Sequence, residues 1–203
     1  MILPNLDSAP TLIAMLVFWL LGLYVLTRGP RSNVSRLAGT GQLLIALYLL
    51  GQFLRMNATS AVEAATWSQR FWFGGALAPP VWYWLTVALI EHAGEAASTG
   101  RWAWTRRLIG AGFVISGVFY AVASTIDNLL FQWGPAGLTT GSSPSSSGFA
   151  FQPTALYTGF VALTLAAALA ALANLRYIWA TSTDGRLRSR FGWLTASGSL
   201  FAL

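Results

Sequence analysis

The sequence predicts an all-α protein, a polytopic bundle of transmembrane helices. Of its 203 residues, 55% are hydrophobic and only 9% are charged, and the mean hydropathy is +0.58. An ordinary soluble domain carries about 25% charged residues. Long uncharged runs also recur along the chain, and a hydrocarbon core about 30 Å thick needs roughly 20 such residues per helix. We therefore interpret residues 1–203 as a single transmembrane helical domain.

Five uncharged runs reach a spanning length, and a sixth begins near the end of the sequence. The expected complete spans are Ala9–Thr27, Leu37–Leu54, Phe71–Ile90, Leu108–Thr125 and Thr154–Leu175. The sixth run extends from Phe191 to Leu203, which is only 13 residues. Because 13 residues do not cross a bilayer, we expect the sequence to be truncated before the end of helix six.

The arginines predict the orientation of the bundle. All twelve basic residues are arginine, and ten of them follow the first, third and fifth spans. These ten are Arg28, Arg31, Arg36, Arg101, Arg106, Arg107, Arg176, Arg186, Arg188 and Arg190. Only Arg55 and Arg70 flank the loop between spans two and three. Since positive charge near short loops faces the cytoplasm, the N-terminus is predicted to lie outside.

The loop over residues 126–153 is predicted to lie outside the membrane. Its centre, Gly141–Gly148, consists of glycine, serine and one proline, a composition typical of a flexible linker. The segment Ile126–Trp133 mixes apolar and polar residues. We expect that segment to lie along the membrane interface as a short helix.

Several function classes are excluded by composition. The chain has no cysteine, one histidine and no lysine, so it offers no thiolate or multi-histidine metal site and no Schiff-base lysine for a retinal. We find no phosphate loop, nucleophile elbow or paired carboxylates. We therefore expect no enzyme active site and no cofactor in these residues. The net charge of +6 is assigned to membrane-flanking loops, so no nucleic-acid partner is expected.

The third span is the most informative for a binding site. Pro79 and Pro80 remove two amide donors and are expected to kink the helix near mid-membrane, with Trp72 and Trp82 on either side. A kink among aromatics can wall a pocket for a small apolar or amphipathic ligand. Alternatively, the prolines shape packing and the aromatics fill the core or face lipid. Gln52 in the second span is a further pocket candidate, with interhelical hydrogen bonding as its alternative role.

Small residues at four-residue spacing mark candidate packing faces. They are Ala162, Ala166 and Ala170 in the fifth span, and Gly112 and Ser116 in the fourth. Small residues at this interval let two helices approach closely. The faces are explained either by packing within one bundle or by the seam of a homodimer or a larger membrane complex.

The third span also carries a family resemblance. The run Trp67–Gly74, followed by Ala76, Ala78-Pro79-Pro80 and Trp82, resembles the N-terminal seven-helix sensor region of bacterial membrane histidine kinases. The later stretch Leu175-Arg176-Tyr177, leading to Arg186, Arg188, Arg190 and Trp193-Leu194, is similar to that family as well. The resemblance implies an integral protein of the bacterial cytoplasmic membrane.

In a two-component system such a region would be a sensory input module. It would pass a ligand- or membrane-induced helix shift to a cytoplasmic output domain, usually a kinase or a cyclic-dinucleotide enzyme. A second interpretation is a non-catalytic integral-membrane subunit of a larger complex that binds lipid, quinone or pigment through its tryptophans. A third is a fragment of a transporter, for which Pro79-Pro80 is the candidate helix break.

Overall fold

A computed structural model describes residues 8–93, 101–126, 129–135 and 149–181. Its elements are helices α1 (Ala9–Arg28), α2 (Asn33–Met56), α3 (Ala61–Ala93), α4 (Arg101–Ala123) and α5 (Ala155–Thr181), and strands β1 (Phe131–Pro135) and β2 (Phe149–Pro153). All five helices are long and apolar enough to cross a membrane. The predicted transmembrane helix bundle is confirmed. The expected sixth helix and the Gly/Ser-rich centre of the 126–153 loop lie outside the described residues.

The helices are longer than the spans predicted from the sequence. α3 begins at Ala61 rather than Phe71, and α5 ends at Thr181 rather than Leu175. The predicted spans were bounded by charged residues, but a helix satisfies its own backbone hydrogen bonds and therefore continues into the interfacial region. Charged side chains near its ends, such as Glu63 and Arg70 of α3, can extend toward the polar surface.

Helix α3 is the centre of the bundle. α2, α4 and α5 all pack on α3, whereas α1 packs on α2. Half of the most apolar stretch of α3 is buried, compared with 6% of that of α1. Residues early in α3 contact residues early in α5, as Trp72 and Phe160 do, and Thr86 meets Asn174 further along. α3 and α5 therefore run parallel.

Glycine allows α2 and α3 to pack backbone against backbone. A Cβ atom at Gly74 of α3 would overlap the carbonyl oxygen of Leu44, and one at Gly51 of α2 would overlap the Cβ of Phe71. In lipid, the hydrophobic effect does not drive one apolar helix against another, so close approach and dispersion must hold the pair together. These contacts fix the spacing of the two helices.

Two antiparallel strands between α4 and α5 form the base of a β-hairpin. Strands β1 and β2 pair antiparallel, with Phe131 opposite Pro153 and Pro135 opposite Phe149. The expected interfacial helix over Ile126–Trp133 is therefore wrong, because Phe131, Gln132 and Trp133 belong to β1. The strand partner lies in residues 149–153, and the local mixture of apolar and polar residues could not reveal this distant pairing.

Thr154 joins the hairpin to the start of α5. Its hydroxyl lies 2.9 Å from the carbonyl oxygens of both Leu129 and Leu130, and it accepts a hydrogen bond from the amide of Tyr157 at 3.3 Å. The amide of Thr154 also donates to the carbonyl of Leu130. Leu130 is itself buried with Trp72, Ala123 and Phe160. Thr154 thus caps α5 and closes one end of the core.

Substituting Thr154 with Ala should lower the stability of the bundle by about 1 kcal/mol, since the helix cap and the bonds to the Leu129–Leu130 carbonyls are lost together. Thermal unfolding in detergent, followed by circular dichroism, measures this. Thr158→Ala is the matched control, because the Thr158 hydroxyl has only a 3.5 Å contact to the carbonyl of Thr154. Equal midpoints for the two variants would contradict the capping role.

Candidate ligand-binding site

A cleft of about 430 Å³ lies between α2, α3 and α5. The residues lining it are Ile45 and Tyr48 from α2; Trp72, Gly75, Ala78, Pro79 and Trp82 from α3; and Tyr157, Phe160, Thr164, Ala167, Ala168 and Ala171 from α5. The lining includes no acid, base, cysteine or histidine. The cleft is therefore suited to holding an apolar group, and its residues provide no acid–base or metal chemistry.

The walls of the cleft follow the helical repeat. On α3, Trp72, Gly75, Pro79 and Trp82 recur at intervals of three and four residues, which places them along one face. The α5 wall follows the same rule from Tyr157 to Ala171. Large side chains stand at the two ends of the α3 face and small ones between them, and this alternation leaves the space.

Aromatic side chains cluster around Trp72 at one end of the cleft. The Trp72 ring lies 5.6 Å from that of Tyr48, 6.0 Å from Tyr157 and 5.4 Å from Phe160, in edge-on and tilted arrangements. Such geometries are favourable, at about 0.5–1.5 kcal/mol per pair beyond burial. Only 7% of Trp72 is exposed. This cluster therefore joins α2, α3 and α5 at one level of the bundle.

Trp82 forms the other end of the α3 wall. Its indole is packed against Gly41 of α2, where a Cβ atom would lie 3.2 Å from Nε1. On the α5 side, Ala167, Ala168 and Ala171 leave the room that larger side chains would fill. Ala168 is exposed, so the cleft opens sideways, toward the bilayer, in the described part of the chain.

Of the residues predicted for a pocket, Trp72, Pro79 and Trp82 line this cleft, whereas Pro80 and Gln52 do not. One residue step turns a helix by about 100°, so adjacent prolines face different neighbours. Pro80 faces α4, because a Cβ atom at Gly117 would lie 2.8 Å from its Cγ.

The sequence prediction also omitted Tyr48 and the whole α5 wall. The spacing of the α5 residues could have revealed this wall, because small and aromatic residues between Tyr157 and Asn174 recur on one face of the helix.

The lining residues carry few polar groups. Pro79 has no amide hydrogen, so the helix cannot supply the usual donor for the Gly75 carbonyl. The hydroxyl of Thr164 is buried and has no hydrogen-bond partner among the described residues. Binding sites commonly combine an apolar lining with a few such polar groups, which orient the ligand.

A buried polar cluster lies beyond the Trp82 end of the cleft. The Asn174 amide donates to the hydroxyl of Thr86 at 3.0 Å, and that hydroxyl donates to the Tyr83 carbonyl at 2.7 Å. The Tyr83 hydroxyl donates to the backbone carbonyl of Arg106 at 3.0 Å. The Arg106 guanidinium also lies 4.3 Å from the centre of the Tyr177 ring. These bonds join α3, α4 and α5 at one level.

The small residues predicted as packing faces lie largely on the surface of the described chain. Ala162, Ala166 and Gly112 are exposed, while Ala170 and Ser116 are half-buried. Nothing lies within 4 Å of a Cβ built at Gly112. The contacts with α3 instead involve Gly110 and Gly117 of α4, together with the adjoining stripe of α5. A dimer seam along the exposed faces stays a prediction.

The five described helices that are long and apolar enough to span a membrane define an integral membrane protein whose exposed apolar side chains contact the lipid bilayer. The model of one family, described as the N-terminal 7TM region of histidine kinase, matches residues 10–203, and the chain belongs to this family. Among curated proteins and among solved structures, nothing matches. The resemblance recognised around the third span is confirmed, and with it a location in the bacterial cytoplasmic membrane.

Replacing Thr86 with Val should destabilise the bundle by about 1 kcal/mol, because the buried Asn174 amide loses its acceptor at nearly constant side-chain volume. Thr86→Ser keeps the hydroxyl and is the control. Unfolding midpoints in the same detergent compare the two variants. If serine were as damaging as valine, volume rather than hydrogen bonding would explain the loss.

A methyl group at Gly117 should destabilise the bundle by about 1–3 kcal/mol, since it would meet both Pro80 and the Ala76 carbonyl oxygen, 2.8 and 2.9 Å away. The same substitution at Gly112 meets nothing and should leave stability unchanged or slightly raised. Thermal unfolding of the Gly117→Ala and Gly112→Ala variants tests this. A neutral Gly117→Ala variant would show that α4 is not held closely against α3.

Proposed function

We propose that this chain is the transmembrane input module of a signalling protein. Its cleft binds a small apolar or amphipathic molecule, the packing of α3 against α5 changes, and the shift passes to a cytoplasmic output domain. The observation that carries the proposal is that α3 and α5 wall the cleft together and are also joined by the buried Thr86–Asn174 bond. A change at one level of this pair must be accommodated at the other.

The cleft has the size and composition of a ligand site. Small-molecule pockets usually measure about 300–1,000 Å³ and combine an apolar, aromatic lining with a few polar groups. The volume here is about 430 Å³. The side opening at Ala168 gives a bilayer-dissolved molecule a route into it. Membership of a histidine kinase sensor family supports a sensory use for such a site.

Transmission follows from the parallel course of α3 and α5. A ligand can favour one arrangement only by binding it more tightly than the other. A ligand lodged in the cleft would favour the arrangement in which its α3 and α5 walls are further apart. Helix shifts of about 1–2 Å are a common result of such a bias. The Thr86–Asn174 bond then determines whether the two helices slide past one another or move as a pair.

Filling the cleft is the direct test. Ala168→Leu should weaken binding of both dodecanol and dodecanoate about tenfold or more, because the added side chain competes for the space. It should also shift the autophosphorylation of the native polypeptide in membrane vesicles. Ala166→Leu is the matched control, since Ala166 is exposed on the same helix and does not line the cleft.

Equal effects of the two alanine variants would remove the cleft from the mechanism. The intact mass of the native polypeptide is an independent test. A mass near 21.8 kDa would leave no output domain and would favour a subunit of a larger membrane complex. A much larger mass that includes a kinase region is the expected result.

A further inference from the structure

Arg55 follows the cleft residue Tyr48 on α2, about two helical turns further along. On α2, Ile45, Tyr48, Gln52 and Arg55 recur at helical spacing, so Arg55 shares the face that carries the cleft residues. Side chains in a helix point toward its N-terminus, which for Arg55 is the direction of Tyr48. This direction brings the guanidinium toward the aromatic end of the cleft.

The polar atoms at this end lack partners within the described chain. The Nε of Arg55 and the hydroxyl of Ser68 are buried, and neither has a hydrogen-bond partner among the described residues. Ser68 lies one turn before Trp72 on α3 and is only 5% exposed. A buried donor without an acceptor costs about 1–3 kcal/mol. Both groups lie one to two helical turns beyond cleft residues, Ser68 before Trp72 and Arg55 after Tyr48, so an acceptor at this end of the bundle would relieve this cost.

The described acids are occupied elsewhere. Glu63 accepts hydrogen bonds from the amide and the hydroxyl of Thr59, both at 2.8 Å. Glu91 forms an ion pair with Arg107, also at 2.8 Å. Within the described ranges that pair is the one salt bridge, so Arg55 has no carboxylate partner there. Within that part of the chain the buried Nε of Arg55 therefore lacks an acceptor, which an anion would supply.

The length of the cleft limits what the anion can carry. Trp72 and Trp82 are ten positions apart on α3, which at 1.5 Å per residue is about 15 Å. This is about half the 30 Å thickness of a hydrocarbon core, the depth of one leaflet. This length suits one extended acyl chain.

From these observations we propose that the occupant is a single-chain amphiphile with one anionic head group, a carboxylate or a phosphate. Arg55 binds the head group, Ser68 stands near enough to assist, and the chain lies between Trp72 and Trp82. This proposal rests on the proposed function, because it names the class of ligand that the same cleft takes.

The test uses the full chain in nanodiscs of phosphatidylcholine. Radiolabelled dodecanoate, dodecyl phosphate and dodecanol have the same chain and differ in head group, and binding to empty nanodiscs is subtracted. Each anion should bind the wild-type protein at least about tenfold more tightly than the alcohol, as expected for a charge-assisted hydrogen bond. Arg55→Gln should abolish this preference and leave the affinity for dodecanol unchanged.

Arg70→Gln is the matched control. Arg70 lies at the same end of the bundle, but it is exposed and its guanidinium lies over the Trp67 ring, 5.6 Å from the ring centre. The preference for anions should persist in this variant. Equal losses in the two variants would show general attraction to surface charge and overturn the assignment to Arg55.

Two further outcomes would overturn the head-group proposal. One is equal binding of the anions and dodecanol by the wild-type protein. The other is displacement of dodecanoate when phosphatidylglycerol replaces part of the phosphatidylcholine, because the occupant would then be an ordinary membrane lipid. In either case, a loss of dodecanol binding in Ala168→Leu would still support the cleft itself, so the two proposals fail separately.

Discussion

The rest of the structure depends on how closely its neighbours approach α3. In a bilayer, apolar helices gain little from contact with one another rather than with lipid, so the bundle must be held by close fit. Glycine provides this fit on both sides: Gly74 against the backbone of Leu44 in α2, and Gly117 of α4 against Pro80 and the Ala76 carbonyl. That carbonyl is the one left without its helical donor by Pro80. α4 therefore packs closely where the helix backbone is least shielded.

The cleft is a consequence of the same packing on the third side of α3. Trp72 and Trp82 hold neighbouring helices at a distance, while Gly75 and Ala78 between them are too small to fill the interval. The small side chains of α5 do not compensate. Protein interiors ordinarily fill such spaces, and a large unfilled space forfeits dispersion energy along its whole lining. In the proposed function, a ligand occupies this space of about 430 Å³.

Much of this could be predicted from the sequence, and the exceptions have physical causes. Uncharged runs identified the five helices because the bilayer sets a minimum apolar length. Trp72, Pro79 and Trp82 were predicted because their residue types are unusual within one helix, and they line the cleft. Pro80, predicted with them, faces α4 instead, because the direction of a side chain within the bundle depends on which neighbour packs against it. The α5 wall was missed because the sequence alone does not show whether Ala166 or Ala167 faces the neighbouring helices. The strand at Phe131–Pro135 was missed because its partner lies beyond a long intervening segment.

The two ends of the α3–α5 pair differ in how well their polar groups are satisfied. At one end, Asn174, Thr86 and Tyr83 form a set of hydrogen bonds that ends on the Arg106 carbonyl. At the other end, the Arg55 Nε and the Ser68 hydroxyl have no partner in the described chain. A satisfied buried network resists rearrangement, since each broken bond exposes a desolvated group. The unsatisfied end lacks this restraint and gains most from a ligand. In the proposed mechanism the aromatic end therefore responds to the ligand, and the polar cluster is the fixed point about which α3 and α5 move.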